Sequence, residues 1–217
     1  MQQNFELLTD EASQTSIPAA LAGLFDESIM RERLLRAMCE SLSEKGFADT
    51  VVADVVGRAR VSRRTFYAEF SDRGECLLAL CEHCTTFART LIDAAADPTL
   101  PWESQVENAI DSYIVFLTLS PRLTHAMHFE IYALGERGLE VQQAVNHAFA
   151  TQVLELAARA HQGGADIREP TYATAAALVG AIFQLLQTLE GDVQRITVEE
   201  ARAAAIGLVL DSGRPFS

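Results

Sequence analysis

The chain has 217 residues, 49% of them apolar, a formal charge of −13, and too little Gly and Pro for a low-complexity chain. This composition gives a folded protein with a sizeable core and excludes a wholly disordered one. The charge excludes nucleic-acid binding over the whole surface, because phosphate contacts need Lys and Arg.

The charge is unevenly distributed. Residues 1–30 carry five acids and no base, residues 31–75 nine bases and eight acids, and residues 76–217 eight bases and seventeen acids. Within 58–73, five arginines stand against Glu69 and Asp72. An anionic partner is therefore restricted to one face. No Lys or Arg precedes Arg31, so no export signal is expected, and the uncharged stretch 171–189 is too rich in Ala, Thr and Gln to span a membrane. A cytoplasmic protein with no membrane partner is expected.

Residues 1–26 read as a mobile arm, in which Leu21, Leu24 and Phe25 could form a short packed turn. A helix over 27–45 is predicted from Leu34, Leu35, Met38 and Leu42 and closed by Gly46. Thr50 is placed to cap the following valine-rich helix and to hold a phosphate at its N-terminus. Ala59, Arg60 and Val61 form a tight turn, and Ser62 caps a second short helix with Arg63, Arg64 and Thr65 in its first turn. This is the layout of a helix-turn-helix, whose second helix enters the major groove.

An arginine fork reading guanine O6 and N7 is worth about 1–3 kcal/mol of discrimination. Arg63 and Arg64 can instead bind phosphate, giving affinity without specificity. Thr65 can touch a thymine methyl or a phosphate, and the Tyr67 phenol the DNA backbone. Phe66 and Phe70 are expected in the core.

A long helix then runs from about residue 72 to 96, followed by helices over 102–120, from Pro121 to about 134, and, after Gly135 and Gly138, over 139–160. Gly163 and Gly164 end the last of these. Residues 171–190 are apolar around the whole helix axis, and Thr197 with Glu200 forms a capping box for a final helix to about 210.

Phe47, Thr50, Val52 to Val56, Ala59, Val61, Ser62, Thr65 to Tyr67 and Phe70 together resemble the TetR family of bacterial transcriptional regulators, over roughly residues 29–80. The resemblance implies an all-α protein. A three-helix DNA-binding domain at 27–73 would precede a larger helical ligand-binding and dimerisation domain at 74–217. It further implies a homodimeric repressor that binds a palindromic double-stranded DNA operator and is released by a small-molecule effector. Arg73 stands where the family commonly places a lysine on phosphate. Two positions depart from the family: Arg60 replaces a usual glycine in a turn that tends to be left-handed, and Glu69 a frequent histidine.

Candidate ligand-pocket residues are Phe87, Leu91, Tyr113, Phe116, Leu117, His125, Met127, His128, Phe129, Tyr132 and Phe149. Candidate dimer-interface residues are Ala177, Leu178, Ala181, Ile182, Leu185 and Leu189 on one helix and Ala201, Ala205 and Leu208 on the next. Cys76, Cys81, Cys84 and His83, with His125 and His128, leave open a metal- or thiol-sensing switch. Cysteines at apolar helix positions are commonly plain core residues, so no metal and no cofactor is expected. With no nucleophile elbow, phosphate loop or dinucleotide fingerprint, no enzyme is expected either.

Overall fold

The computed structural model describes residues 23–188 and 196–214. Among these the helical periodicities become nine α-helices and no strand: α1 (Met30–Asp49), α2 (Val52–Ala59), α3 (Arg63–Glu69), α4 (Arg73–Ala95), α5 (Trp102–Thr118), α6 (Pro121–His128), α7 (Glu136–Gln162), α8 (Tyr172–Gln187) and α9 (Val198–Ser212). A 3-10 turn, Glu130–Leu134, joins α6 to α7. No helix among the described residues is long and apolar enough to cross a membrane.

The chain divides into two compact units. One holds the described residues up to Cys84 together with Leu117–Val141; the other holds Thr85–Phe116 and the described residues from 142 onward. This differs from the expected boundary at 73/74, because α6 and the 3-10 turn belong with the first three helices. Ser120 Oγ donates to Ser43 Oγ at 2.8 Å, and Glu130 accepts from the Phe47 amide.

In the first unit Leu34, Leu35, Met38 and Leu42 of α1 are buried as their spacing requires, with Val55, Phe66, Phe70, Leu77 and Leu80 completing the core. Gly46 adopts φ 76° and kinks α1 instead of ending it, so the helix resumes as far as Asp49. Of the expected arm, residues 1–22 lie outside the described residues. Leu24 and Phe25 are buried, with Phe25 stacked on the His83 ring at 5.2 Å.

The helix expected from Leu139 begins at Glu136. Gly138 is a helix residue and not a break: a Cβ there would sit 2.0 Å from the Ile131 carbonyl oxygen. Only glycine admits that approach.

In the second unit Tyr113, Phe149 and Phe183 form a ring cluster with centroids 5.2–6.3 Å apart. Arg159 pairs with Asp93 at 2.7 Å, and Arg202 makes a forked pair with Asp111 at 2.5 and 3.0 Å. The expected capping box at α9 is present, Glu200 N donating to Thr197 Oγ1 at 3.1 Å and Thr197 N to Glu200 Oε2 at 2.7 Å.

Candidate nucleic-acid interface and a cavity in the second unit

Between α2 and α3 the chain turns through Arg60, the one non-glycine residue with positive φ among those described, at φ 53° and ψ 48°. Its amide donates to the Gly57 carbonyl at 3.3 Å, closing α2. Ser62 then caps α3 as its sequence position demands, Oγ accepting from Thr65 N at 3.1 Å with the two hydroxyls 2.9 Å apart. Arg60, Ser62, Arg63, Arg64 and Tyr67 are all exposed, and Thr65 is half-buried. Six of the expected DNA contacts therefore share one stretch of surface.

The other cations of α1 and α2 are engaged. Lys45 pairs with Asp54 at 2.7 Å, Arg36 with Glu27 at 2.8 Å, and Arg58 with Glu44 and Glu40. Arg33 donates to the Ala59 carbonyl at 2.7 Å. Hydrogen bonds from Lys45 and the Val51 amide lower the Asp54 pKa, holding that carboxylate ionised. By contrast Arg60, Arg63 and Arg64 have no acidic partner among the described residues. Glu69 is neutralised by Arg31, 3.7 Å away.

Two expected contacts point elsewhere. Thr50 is 0% exposed: its hydroxyl donates to the Gly46 carbonyl at 2.7 Å and lies 3.0 Å from Ser41 Oγ. It is not the cap of α2, whose N-terminal Val51 amide donates to Asp54 Oδ2 at 2.8 Å. Arg73 is turned inward as well, donating to the carbonyls of Phe47 at 2.7 Å and Thr50, with its guanidinium 4.4 Å from the Phe47 ring centroid. The carbonyls at the end of α1, where the helix presents its partial negative charge, attract this cation.

The second unit contains a cavity of about 90 Å³, lined by residues of α4, α5, α7, α8 and α9. Of the expected pocket residues, Tyr113 and Phe149 line it. Phe87 and Phe116 pack against each other at 6.2 Å, and neither they nor Leu91 reach its wall. Leu117, His125, Met127, His128, Phe129 and Tyr132 belong to the first unit, where α6 packs on α1, and are not part of this cavity. His125 stacks on Phe129 at 4.8 Å, and His128 Nδ1 donates to the Thr124 carbonyl at 2.8 Å. Burial lowers the His128 pKa.

Sequence reasoning missed Trp102, Gln105, Ile110, Gln152, Val179 and Phe183 on the wall. The discoverable sign was Gln152, a polar residue embedded among Phe149, Val153 and Leu156 on one helix.

Of the expected interface residues, Leu178, Ile182, Ala201 and Ala205 are buried within the chain, because α8 and α9 pack against their own unit; Ile182 lines the cavity. Ala177 and Leu208 are exposed, Ala181 and Leu185 half-buried, and Leu189 lies outside the described residues. Ala173, Ala176 and Gly180 join Ala177 on an exposed small-residue face of α8.

The metal- or thiol-sensing alternative finds no support in this geometry. Cys39, Cys76, Cys81 and Cys84 are buried and in no disulfide, and burial pushes the first three thiols up to about 12. No group of three potential metal ligands occurs among the described residues.

Residues 34–80 match the family model of bacterial regulatory proteins of the tetR family. A 79-residue segment is 38% identical to the transcriptional regulator AcuR of Cereibacter sphaeroides and spans 36% of each chain, about a third of that relative's length. An uncharacterised HTH-type transcriptional regulator of Mycobacterium tuberculosis is 22% identical over 189 residues, 83% of this chain and 92% of its own. Among solved structures, a TetR-family regulator from Syntrophomonas wolfei superposes with a TM-score of 0.67 at 14% identity, covering 85% of this chain and 95% of that one. The fatty acid degradation regulator FadR from Bacillus halodurans gives a TM-score of 0.66 at 14% identity, covering 83% of this chain and 94% of that one. At these identities the structural likeness is one of fold.

Proposed function

We propose that the chain, whose residues 34–80 match the tetR family model, is a TetR-family transcriptional regulator that acts as a dimeric repressor on a near-palindromic operator and is released by a small molecule. One α3 per subunit enters successive major grooves. The observation that carries this reading is that Arg60, Arg63 and Arg64, together at the start of α3, stand exposed without acidic partners among the described residues, while Arg31, Arg36, Lys45 and Arg58 on α1 and α2 are paired. Unpaired arginines at the start of a recognition helix are the groups phosphate and guanine would engage.

Dimerisation is supported by the exposed small-residue face of α8 and by the exposed Leu208 on α9. The cavity, walled by apolar side chains with Tyr113 and Phe149 among them, supplies a place for an effector. An effector that fits one spacing of the two α3 helices better than another shifts DNA affinity by that difference alone.

The test is a gel-shift titration on the DNA adjoining the gene. Arg63→Ala or Arg64→Ala should weaken binding by about 1–3 kcal/mol, roughly 5- to 150-fold, the base-reading residue also relaxing preference at one position. Ala177→Arg with Leu208→Arg should give monomers that no longer shift the DNA. A double Arg63→Ala, Arg64→Ala protein that binds at full strength would remove the reading.

A further inference from the structure

The cavity between α4, α5, α7, α8 and α9 has a volume of about 90 Å³. One water needs about 10–15 Å³ of such space, so there is room for several waters, or for roughly six to nine non-hydrogen atoms of another molecule. A buried water also needs polar partners, and this wall supplies almost none. Among the described residues it contains no Asp, Glu, Lys, Arg or His. The amide nitrogens of its two glutamines are spent on backbone carbonyls, Gln105 Nε2 donating to Leu100 and Gln152 Nε2 to Arg89, each at 2.8 Å. Gln152 Oε1 and Trp102 Nε1 are buried out of water's reach. The surface that remains is almost wholly apolar, with Ile92, Val106, Val179 and Ile182 supplying aliphatic carbon and Phe149 and Phe183 their rings.

Water placed against such a surface gives up hydrogen bonds without replacement, and an empty space forfeits the dispersion contacts its lining would make with an occupant. A molecule of carbon and hydrogen restores those contacts and has no polar hydration to lose. A hydroxyl, amide or carboxylate would leave its hydration behind and recover none of it.

We propose that this cavity binds a compact hydrocarbon of roughly six to nine carbon atoms and discriminates against molecules of the same size and shape that carry a hydrogen-bonding or charged group. The inference rests on the effector reading above and supplies its chemical class. Selectivity comes from what the wall withholds, since every polar group on a ligand is desolvated there without compensation.

Calorimetry on the DNA-free, full-length protein at pH 8 tests it with compounds matched in shape: toluene against phenol and benzoate, and cyclohexane against cyclohexanol. Each hydrocarbon should bind at least about tenfold more tightly than its hydroxyl counterpart, and benzoate should give no binding heat. Trp102, the chain's one tryptophan, stands on the wall, so its emission should change in step with the cyclohexane titration. Ala96 and Ala109 also line the cavity, and Ala96→Leu fills part of it and should weaken toluene at least about tenfold. Ala109→Leu gives the second reading should Ala96→Leu misfold. The proposal is overturned by hydroxyl compounds binding as tightly as the hydrocarbons, by no binding of either hydrocarbon up to its solubility, or by hydrocarbon binding that leaves Trp102 emission unchanged and ignores both substitutions. Release of DNA is measured separately. Hydrocarbon binding that leaves operator affinity unchanged defeats the effector reading alone. Release by a charged or hydroxyl compound, undiminished in both filled variants, leaves the effector reading standing and overturns the ligand class.

Discussion

The backbone N–H of Phe47, one residue beyond the left-handed Gly46, donates at 3.0 Å to Glu130 Oε2, 83 residues along the chain. The kink in α1 removes this amide from regular helix bonding, and the 3-10 turn after α6 provides its acceptor. Replacing Glu130 with Ala leaves a part-buried donor unpaired and should cost about 1–2 kcal/mol; Gln keeps an acceptor and should lie nearer the parent. Urea midpoints decide between them, and equal stability of the Ala and Gln proteins would show that the bond contributes little.

Arg60 holds a left-handed conformation that a side chain makes costly. Arg60→Gly should raise stability by about 0.5–1 kcal/mol, the left-handed penalty being partly offset by glycine's greater freedom in the unfolded chain. If the guanidinium also meets a phosphate, operator affinity should fall and the slope of log affinity against log salt should shrink by about one. Thermal unfolding and a salt series of DNA titrations measure the two effects; unchanged affinity at low salt would leave Arg60 as a strained turn residue only.

Gly138→Ala should destabilise by about 1–3 kcal/mol, because the new methyl would collide with the Ile131 backbone oxygen, which no rotamer change can move. Gly57→Ala in α2 meets nothing within 4 Å and should stabilise by up to about 1 kcal/mol. Opposite signs from the same chemical change make the pair a sensitive check by denaturant titration.

Burial raises the Cys39, Cys76 and Cys81 thiols from 9.0 to about 12. Above pH 9 the unfolded chain releases these protons while the native chain keeps them, so the stability they contribute is complete below pH 9 and declines as pH climbs towards 12. Urea midpoints should therefore drop between pH 9 and 10.5 by more than in a Cys39→Ala, Cys81→Ala protein. A thiol-specific aromatic disulfide should label none of the four at pH 8 until urea unfolds the chain. Rapid native labelling would contradict the burial.

Much of the fold was legible because its determinants are local. Helical spacing of Leu34, Leu35, Met38 and Leu42, the cap at Ser62, the box at Thr197 and Glu200, and the left-handed turn at Arg60 each depend on residues within a few positions of one another. What escaped depends on partners distant in sequence. Gly138 reads as a break unless the Ile131 carbonyl beside it is known, and Arg73 as a phosphate ligand unless the carbonyls of Phe47 and Thr50 are seen to claim it. The pocket was least legible. Bulky residues on α6 are indistinguishable by pattern from those on α5, but α6 packs on α1 in the first unit while the cavity lies in the second, walled by side chains from helices far apart in sequence.

Glu69, the last residue of α3, has both its carboxylate and its carbonyl engaged by Arg31 on α1, whose guanidinium lies 4.4 Å from the Phe70 ring centroid. The two positions are therefore tied in their mutational tolerance. Loss of Arg31 alone would unmask a full negative charge at the end of the recognition helix, whereas the same loss after Glu69→Gln would remove little but packing. A residue outside the expected operator contacts thus sets which substitutions the recognition helix can accept, and in what order they can be fixed.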